Sequence, residues 1–367
     1  MSVRFLTAVS GRAFNMRDRF GREIDYMRIS VIDSCNLNCY YCNPQDNNKN
    51  CQAINILSVK KVLCIVRAAT RLGITHFRLT GGEPLLHPQI DEMVSQIKKI
   101  PGVRSVSLTT NAVLLAQHAK QLKEAGIDSI NVSLDTIDAS EYEHITKKPL
   151  LHKVEQGIDA AIECGIRVKI NAVLTPQTDV VALTRYASKK GTDIRFIEMM
   201  PVGEGHTNGV EPYEKVIGAL LEVYGTPCHI DTENREEINS GYNNADNGPA
   251  EYYSFHGLNI RVGLIQAIHG KFCDTCNRIR VTADGRLMPC LGSSVTMDLV
   301  PDSCEFTDDL EKDFVIVQAL KAAIKAKPRC HNFNDNAVTY TKTTETKTTE
   351  IEAAEVNAAR NMSRIGG

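Results

Sequence analysis

Three closely spaced cysteines near the amino terminus offer metal-binding chemistry. The stretch SCNLNCYYCNP (residues 34 to 44) holds Cys35, Cys39 and Cys42 at the spacing C-x3-C-x2-C, and Cys51 follows nine residues further on. Thiolates are soft ligands that suit zinc or an iron–sulfur cluster. A structural zinc site normally needs a fourth Cys or His. Three cysteines therefore favour a cluster that keeps one iron open, with zinc as the alternative.

A second group of three cysteines lies much later in the chain. The stretch FCDTCNRIRVTADGRLMPCLG places Cys273, Cys276 and Cys290 at the spacing C-x2-C-x13-C. The ADG sequence inside it predicts a hairpin turn, which would return Cys290 beside the CxxC pair. A zinc ribbon needs four ligands, and this stretch supplies three. An incomplete site of this kind indicates a ligand from outside the protein.

Basic residues recur at matching positions within the predicted strands. Arg278 and Arg280 have period-2 spacing and so lie on one side of a strand, where two guanidinium groups offer a rigid fork for a polyphosphate. A solvated strand face is the alternative. Further cations at a matching level are Arg28, Arg78, Lys169 and Arg195. Because 42 basic and 44 acidic side chains nearly cancel, this concentration is local and favours an anionic substrate, with no indication of nucleic-acid binding.

The elements that must position these residues follow a βα pattern. From Asp25 to about Met200, short β-branched segments alternate with amphipathic helical segments, as in units around a parallel sheet. The predicted strands are DYMRISVID, THFRLT, RSVSLTT, SINVSLD, RVKINAVL and DIRFIEMM. Six strands are too few for a closed eight-stranded barrel, so we expect an α/β fold with a partial (β/α)6 TIM-like barrel. The active site should collect at the carboxyl ends of its strands.

The composition also limits the setting of the protein. No apolar run approaches the roughly 18 to 20 residues that a bilayer span requires, and the start of the chain shows no signal-peptide pattern. We therefore expect no membrane association and a cytoplasmic location. A basic, acid-free stretch over residues 1–17 leaves a mitochondrial presequence as the alternative. Twelve cysteines in such a chain indicate reduced thiols with chemical roles.

The first cysteine group and a second motif together resemble the radical S-adenosylmethionine (SAM) enzymes. That family's signature is C-x3-C-x2-C with an aromatic residue, here Tyr41, before the last cysteine, and GGEP at residues 81 to 84 is similar to its second motif. The resemblance implies a [4Fe-4S] cluster whose open iron binds SAM, which is then cleaved to a 5′-deoxyadenosyl radical. The consecutive glycines allow main chain to approach a ligand closely, and Glu83 can accept from an ammonium group.

Further motifs resemble the GTP 3′,8-cyclases within that family, which catalyse the first step of molybdenum cofactor biosynthesis. The similarity runs from about Phe20 to Cys290 and returns at the carboxyl-terminal SRIGG. Its segments are FGREIDYMRISV, CNLNCYYC, FRLTGGEPLL, LTTN, INVSLD, VKINAV, RFIEMMPVG and FCDTCNRIRVTADGRLMPCL. In this family the tail reaches toward the active site, which implies catalytic roles for Gly366 and Gly367 beside Arg278 and Arg280.

The resemblance implies a role for each matching residue. The implied SAM contacts are Tyr41, Gly82, Ser133 and Met200. Glu83 is a further expected SAM contact because its carboxylate can accept from an ammonium group. The implied GTP contacts are Arg28, Arg78, Thr109, Lys169, Arg278 and Arg280. Arg195 is a further expected GTP contact because it lies at the same level of its predicted strand as the other cations. Two [4Fe-4S] clusters are implied, held by Cys35, Cys39 and Cys42 and by Cys273, Cys276 and Cys290. The implied reaction begins with abstraction of the ribose 3′-hydrogen and gives (8S)-3′,8-cyclo-7,8-dihydro-GTP.

The same resemblance implies an organisation and a set of partners. We expect an amino-terminal extension over 1–19, a radical SAM partial barrel over 20–235, a region with the second cluster over 236–330, and a polar tail over 331–367. The implied partners besides GTP are a flavodoxin- or ferredoxin-like electron donor, the downstream cyclic pyranopterin monophosphate synthase, and a second copy of the chain in a homodimer.

Some positions depart from the family's pattern, and two other functions stay open. Ala112 follows Thr109-Thr110-Asn111 where the family usually has Gly, so backbone freedom is lost beside the implied SAM site. His76 and His87 stand where relatives carry other basic residues. One alternative is a radical SAM peptide- or protein-modifying enzyme with an auxiliary cluster, which usually carries more carboxyl-terminal cysteines. The other is a non-catalytic iron–sulfur or zinc protein, which has no need of GGEP.

Overall fold

One mixed sheet organises the protein. The computed structural model describes residues 16–42, 54–200, 213–230, 248–270, 272–293, 295–299 and 310–331. Its strands are β1 (Tyr26–Ser30), β2 (His76–Thr80), β3 (Ser105–Thr110), β4 (Ser129–Ser133), β5 (Arg167–Val173), β6 (Asp193–Ile197), β7 (Cys228–Ile230), β8 (Glu251–Ser254), β9 (Val262–Ile265), β10 (Arg278–Val281), β11 (Arg286–Met288) and β12 (Met297–Asp298). Their order in the sheet is β12-β11-β10-β1-β2-β3-β4-β5-β6-β9-β8-β7.

Helices connect and flank these strands. They are α1 (Val59–Thr70), α2 (Ile90–Lys98), α3 (Leu115–Glu124), α4 (Ala139–Thr146), α5 (Leu151–Glu163), α6 (Val180–Lys190), α7 (Tyr213–Tyr224) and α8 (Leu310–Ala326). In α1, Val62, Ile65 and Ala69 recur three or four residues apart and are buried, which gives the helix one apolar face. The Ser58 hydroxyl accepts a hydrogen bond from the Lys61 amide at 3.3 Å and so caps its first turn.

The sheet confirms the predicted partial barrel and extends it. The six predicted strands are β1 to β6, each parallel to the next. Two more parallel strands join them, β10 beside β1 and β9 beside β6. The outer neighbours of these two strands are the antiparallel β11 and β8, so the barrel stays open. The sequence predicts the hairpin that contains β10 and a strand-like segment over 258–267 that contains β9, but it does not predict their pairing with β1 and β6, because both lie outside the run of alternating strands and helices.

The central strands separate a packed face from a polar face. In β1, Met27 and Ile29 are fully buried in the apolar core, whereas Arg28 between them lies on the opposite face. Each fully buried Leu, Ile or Phe side chain stabilises the fold by roughly 1.5–3 kcal/mol. The apolar face therefore holds the strands in register, and the other face is left for chemistry. Among the described residues, no helix has the length and apolar character needed to cross a bilayer.

Candidate functional site

Both cysteine triads line one cavity. The cavity has a volume of about 310 Å³, and its walls include all six cysteines of the two triads: Cys35, Cys39, Cys42, Cys273, Cys276 and Cys290. The first triad follows β1, and the second surrounds β10, the strand that pairs with β1 in parallel. The pairing of these two strands therefore brings together two groups of cysteines that lie more than two hundred residues apart in the chain.

The GGEP motif fixes the base of the first cysteine loop. The Gly82 amide donates to the Ile32 carbonyl at 2.7 Å, and the Glu83 amide donates to the Ser34 carbonyl at 2.8 Å. A Cβ atom on Gly82 would lie 2.1 Å from the Ser34 carbonyl oxygen, and one on Gly81 would lie 2.4 Å from that of Ile32. The close approach that the glycines permit is thus to the backbone just before Cys35.

Glu83 links this motif to the end of β3. Its buried carboxylate accepts hydrogen bonds from the Leu85 amide at 3.0 Å, the Thr110 hydroxyl at 2.7 Å and the Asn111 amide at 2.7 Å. Burial raises the pKa of Glu83 to about 7, against the lowering effect of these hydrogen bonds. Asn111 in turn approaches the Cys35 sulfur at 3.8 Å. Glu83 lines the cavity, so a cationic ligand there would meet a carboxylate.

Acidic and aromatic groups surround the first triad. Burial, followed by the negative charge of Asp135, raises the pKa of the Cys39 thiol, and burial also raises the pKa of the Cys35 thiol. Asp135 accepts hydrogen bonds from the Tyr41 hydroxyl at 2.5 Å and the Val173 amide at 2.8 Å. Its buried carboxylate ties the residue before Cys42 to strands β4 and β5. The SLD at the end of β4 was the sequence signal for it, but no role was predicted.

The second triad has a cationic environment. Strands β10 and β11 form the predicted hairpin, and Cys290 follows β11 as expected. Burial opposes ionisation of Cys276, but Arg278 and then Lys327 outweigh it and lower the pKa of this thiol to about 6. Burial raises the pKa of the Cys273 thiol. Lys327, which follows α8 and carried no sequence signal, donates to the carbonyls of Arg278 at 2.8 Å and Pro289 at 2.9 Å.

A second cavity adjoins the first and is rich in arginine. It has a volume of about 250 Å³ and is lined by Arg28, Arg78, Arg195 and Arg278. Arg28 and Arg278 belong to the walls of both cavities. Arg280, Arg28 and Arg78 are direct register partners across β10, β1 and β2. The predicted convergence of these arginines is therefore present in the fold.

The arginines are buried close enough to influence one another. Burial, then repulsion from Arg280, lowers the pKa of Arg28, and burial with repulsion from Arg278 lowers the pKa of Arg280 to about 10. The Nε of Arg195 donates to Asn171 at 2.9 Å, while its buried Nη2 has no hydrogen-bond partner among the described residues. Buried cations require compensating negative charge. An anionic ligand in this cavity would provide it.

Five other predicted site residues lie at the first cavity. Tyr41, Gly82, Thr109, Ser133 and Met200 line the cavity of the two triads. The Thr109 hydroxyl accepts from Arg78 at 3.5 Å, which links two residues predicted to contact GTP.

The predicted roles of Lys169 and of the Gly366-Gly367 tail stay predictions. Lys169 is buried on β5 between its register partners Asn131 and Asp193, and it lines neither cavity, although Asn131 lines the second. Gly366 and Gly367 lie outside the described residues.

The donor sets fit iron–sulfur clusters. Each triad presents three thiols to the cavity, and iron–sulfur clusters are held by cysteine thiolates bound to different irons. Within the described ranges, no three His, Cys, Asp or Glu side chains converge as they would on one metal ion. Cys330, outside both triads, is exposed and interacts electrostatically with Cys273.

The chain is similar to known proteins along most of its length. Residues 29–184 match the Radical SAM superfamily, and residues 192–333 match the family described as Molybdenum Cofactor Synthesis C. A GTP 3′,8-cyclase of Clostridium perfringens (strain SM101 / Type A) is 36% identical over 322 residues, which cover 87% of this chain and 95% of that protein. A GTP 3′,8-cyclase of Clostridium acetobutylicum is 36% identical over 337 residues, which cover 89% and 98%.

A solved structure has a similar fold. The crystal structure of Streptococcus suis SuiB bound to S-adenosylmethionine superposes with a TM-score of 0.53 at 16% identity, over 81% of this chain and 65% of that one. At this identity the likeness shows the fold alone. The family assignment comes instead from the cyclases, which are 36% identical over nearly their whole length. The chain therefore belongs to the GTP 3′,8-cyclase family of radical SAM enzymes.

Proposed function

We propose that this protein converts GTP to (8S)-3′,8-cyclo-7,8-dihydro-GTP, the first step of molybdenum cofactor biosynthesis. The observation that carries the proposal is that two three-cysteine groups line one cavity, which shares Arg28 and Arg278 with an arginine-lined cavity. A radical enzyme acting on a nucleoside triphosphate needs a place for SAM, a place for the base and a place for the phosphates. The relatives named GTP 3′,8-cyclase support the same assignment.

We assign the first half of the cavity to SAM. Cys35, Cys39 and Cys42 would hold a [4Fe-4S] cluster, which with bound SAM supplies the 5′-deoxyadenosyl radical that takes the ribose 3′-hydrogen. Glu83 and Asp135 give this half a negative character suited to the ammonium and sulfonium groups of SAM. Gly82, Ser133 and Met200, on three separate segments, complete its walls.

We assign the second half, with the arginine cavity, to GTP. Cys273, Cys276 and Cys290 would hold a second [4Fe-4S] cluster with an iron open to the guanine. Arg278 and Arg280 lie at this end, and Arg28, Arg78 and Arg195 would bind the triphosphate through charge-assisted hydrogen bonds. The protein then holds the ribose between the two halves and excludes water from the radical chemistry.

Several family expectations remain predictions. Roles for Lys169 and the Gly366-Gly367 tail, the four-part division of the chain, a homodimer, a flavodoxin- or ferredoxin-like donor and a downstream synthase all belong here. A cytoplasmic location is a prediction of the same kind. None of them is needed for the assignment of the two cavities.

Anaerobic reconstitution tests the proposal. We expect about eight irons and eight sulfides per chain, and release of 5′-deoxyadenosine that increases with GTP in the presence of SAM and reductant. The product should be a cyclised nucleotide, identified by mass spectrometry. About four irons, or turnover that ignores GTP, would contradict the proposal, and turnover with a peptide in place of GTP would favour the peptide-modifying alternative.

Arg278→Ala tests the nucleotide assignment. The variant removes a guanidinium that lines both cavities, so GTP should bind about 10- to 100-fold more weakly while the protein still cleaves SAM. GTP affinity is measured by equilibrium binding under anaerobic conditions. Lys98→Met is a control because Lys98 pairs with Asp128 and lines neither cavity. Equal GTP affinity in Arg278→Ala and in the wild type would rule out this role.

A further inference from the structure

Arg22 joins three distant segments of the chain. Its buried guanidinium donates to the Asp18 carboxylate at 2.6 Å, and also to the carbonyls of Cys273 at 2.6 Å, Pro328 at 2.6 Å and Arg329 at 2.9 Å. Asp18 is itself buried, and it also accepts from the Arg22 amide at 3.0 Å. The guanidinium fork suits several acceptors at fixed angles. Arg22 therefore connects the turn before β1 to the second triad and to the segment after α8.

Lys327 binds the other half of the same triad. Its Nζ donates to the carbonyl of Arg278, two residues after Cys276, and to the carbonyl of Pro289, next to Cys290. It also hydrogen-bonds the Cys276 thiol itself. Lys327 is 2% exposed, so these bonds form in a low-dielectric setting. One ammonium group thus holds the two arms of the hairpin that carry Cys276 and Cys290.

The segment that follows α8 completes this arrangement. We call residues 327–331 (Lys-Pro-Arg-Cys-His) the strap. The His331 amide bonds the Cys273 thiol, and the His331 ring bonds the Ala267 carbonyl at 2.7 Å. Each cysteine of the second triad, or a residue next to it in the chain, therefore contacts the strap or Arg22. The first triad has no such contact with the strap among the hydrogen bonds of the described residues.

We propose that Arg22 and Lys327 are positioning residues that hold the second cysteine triad in place through the strap, and that Lys327 also sets the electronic properties of that site. The proposal rests on the proposed function in that the triad binds a cluster. Hydrogen bonds and positive charge at cluster sulfurs raise the reduction potential. Arg22 acts through backbone carbonyls and lines neither cavity, so it affects the reaction only by fixing the triad.

The test compares Lys327→Met, Lys327→Arg and Arg22→Met with Lys98→Met, a matched loss of one lysine at a site away from both cavities. Full-length protein is reconstituted, and iron content, EPR spectra and reduction potentials are measured. We expect Lys327→Met to keep the signal of the first cluster and to lose the second or lower its potential, with GTP conversion reduced about 10- to 100-fold. Lys327→Arg should restore much of the second signal because it keeps the charge.

Hydrogen exchange of the cluster-free chain gives an independent readout. Arg22→Met should speed exchange of amides in 272–276 and 328–331 and leave 34–42 unchanged. The proposal is overturned if Lys327→Met and Arg22→Met match Lys98→Met in potential and exchange, or if both lose the two clusters together with exchange accelerated throughout. A wild type with one cluster would defeat the proposed function, while the exchange result would still decide whether Arg22 fixes the triad loop.

Discussion

The two cysteine triads share a cavity but differ in the charges around them. The first lies near Glu83 and Asp135, and burial with these acids raises the pKa values of Cys35 and Cys39. The second lies near Arg278 and Lys327, which lower the pKa of Cys276 to about 6 in spite of burial. An acidic half suits cationic SAM, and a cationic half suits a nucleoside triphosphate. The difference teaches that two groups of three cysteines acquire different electrostatic properties from their surroundings.

The triads also differ in how they are held. The first is fixed by contacts within the run of β1 to β5: GGEP binds the backbone of residues 32–34, and the Tyr41 hydroxyl bonds Asp135, 94 residues away. The second is fixed by contacts that span the chain, since Arg22 and the Cys273 carbonyl are 251 residues apart. The second site therefore depends on contacts from both the amino-terminal turn and the segment that follows α8.

The largest expected effect comes from removing one cysteine of each triad. Cys39→Ala should abolish SAM cleavage because the first cluster loses a ligand. Cys290→Ala should keep SAM cleavage but lose the cyclised nucleotide. Each variant should retain about four irons. Deoxyadenosine and product are measured together by liquid chromatography. Identical losses in both variants would show that the triads do not have separate roles.

Cys330→Ala is the control for this pair. Cys330 interacts with Cys273, yet it is exposed. The variant should retain full iron content and activity, because three cysteines suffice for a cluster that takes an outside ligand. Loss of about four irons in Cys330→Ala would mean that a fourth cysteine closes the second site and leaves no iron for the nucleotide.

A smaller effect is expected from removing one charge from each half of the cavity. Asp135→Asn keeps the size of the side chain but removes its negative charge, so SAM should bind about ten-fold more weakly with GTP affinity unchanged. Arg280→Met should do the reverse. Both affinities are measured for both variants. If either substitution weakens SAM and GTP equally, the acidic and cationic halves do not select their ligands.

Glu83 gives the first half a pH dependence. Burial raises its folded-state pKa to about 7 from an ordinary 4.5, so the folded protein binds this proton more tightly than the unfolded chain. The stabilising contribution is fully present below pH 4.5 and is lost as the pH rises to about 7. We expect melting temperatures of the cluster-free wild type to fall across this window relative to Glu83→Gln. Parallel melting curves from pH 4.5 to 7 would contradict it.

The smallest effect concerns Ala112. Its φ is +63°, a left-handed conformation that glycine adopts more readily, and it follows Asn111 at the first triad. Ala112→Gly should relieve this strain and stabilise the protein by up to about 1 kcal/mol, less the entropy gained by the unfolded chain. Lys147→Gly is the matched comparison, since Lys147 adopts a similar left-handed conformation, with φ +60°, at the end of α4. Denaturant unfolding measures both, and a destabilised Ala112→Gly would contradict the expectation.

The sequence by itself determined the chemistry and the central fold. Cysteine spacing, GGEP and the six β-branched segments are local patterns, because ligand spacing within a loop and strand periodicity depend on near neighbours. They predicted β1 to β6, both triads and the arginines that now line the two cavities. The predicted open barrel was confirmed because its six parallel strands can each be recognised from such a local pattern.

Only the tertiary structure decided how the two triads face each other and what surrounds them. Nothing local in the sequence pairs β10 with β1 or brings Lys327 to Cys276 and Arg22 to the Cys273 carbonyl. The burial of Asp135 and Glu83 beside the first triad likewise depends on neighbouring strands. Strand pairing and desolvation are properties of distant segments packed together, so no spacing along the chain encodes them.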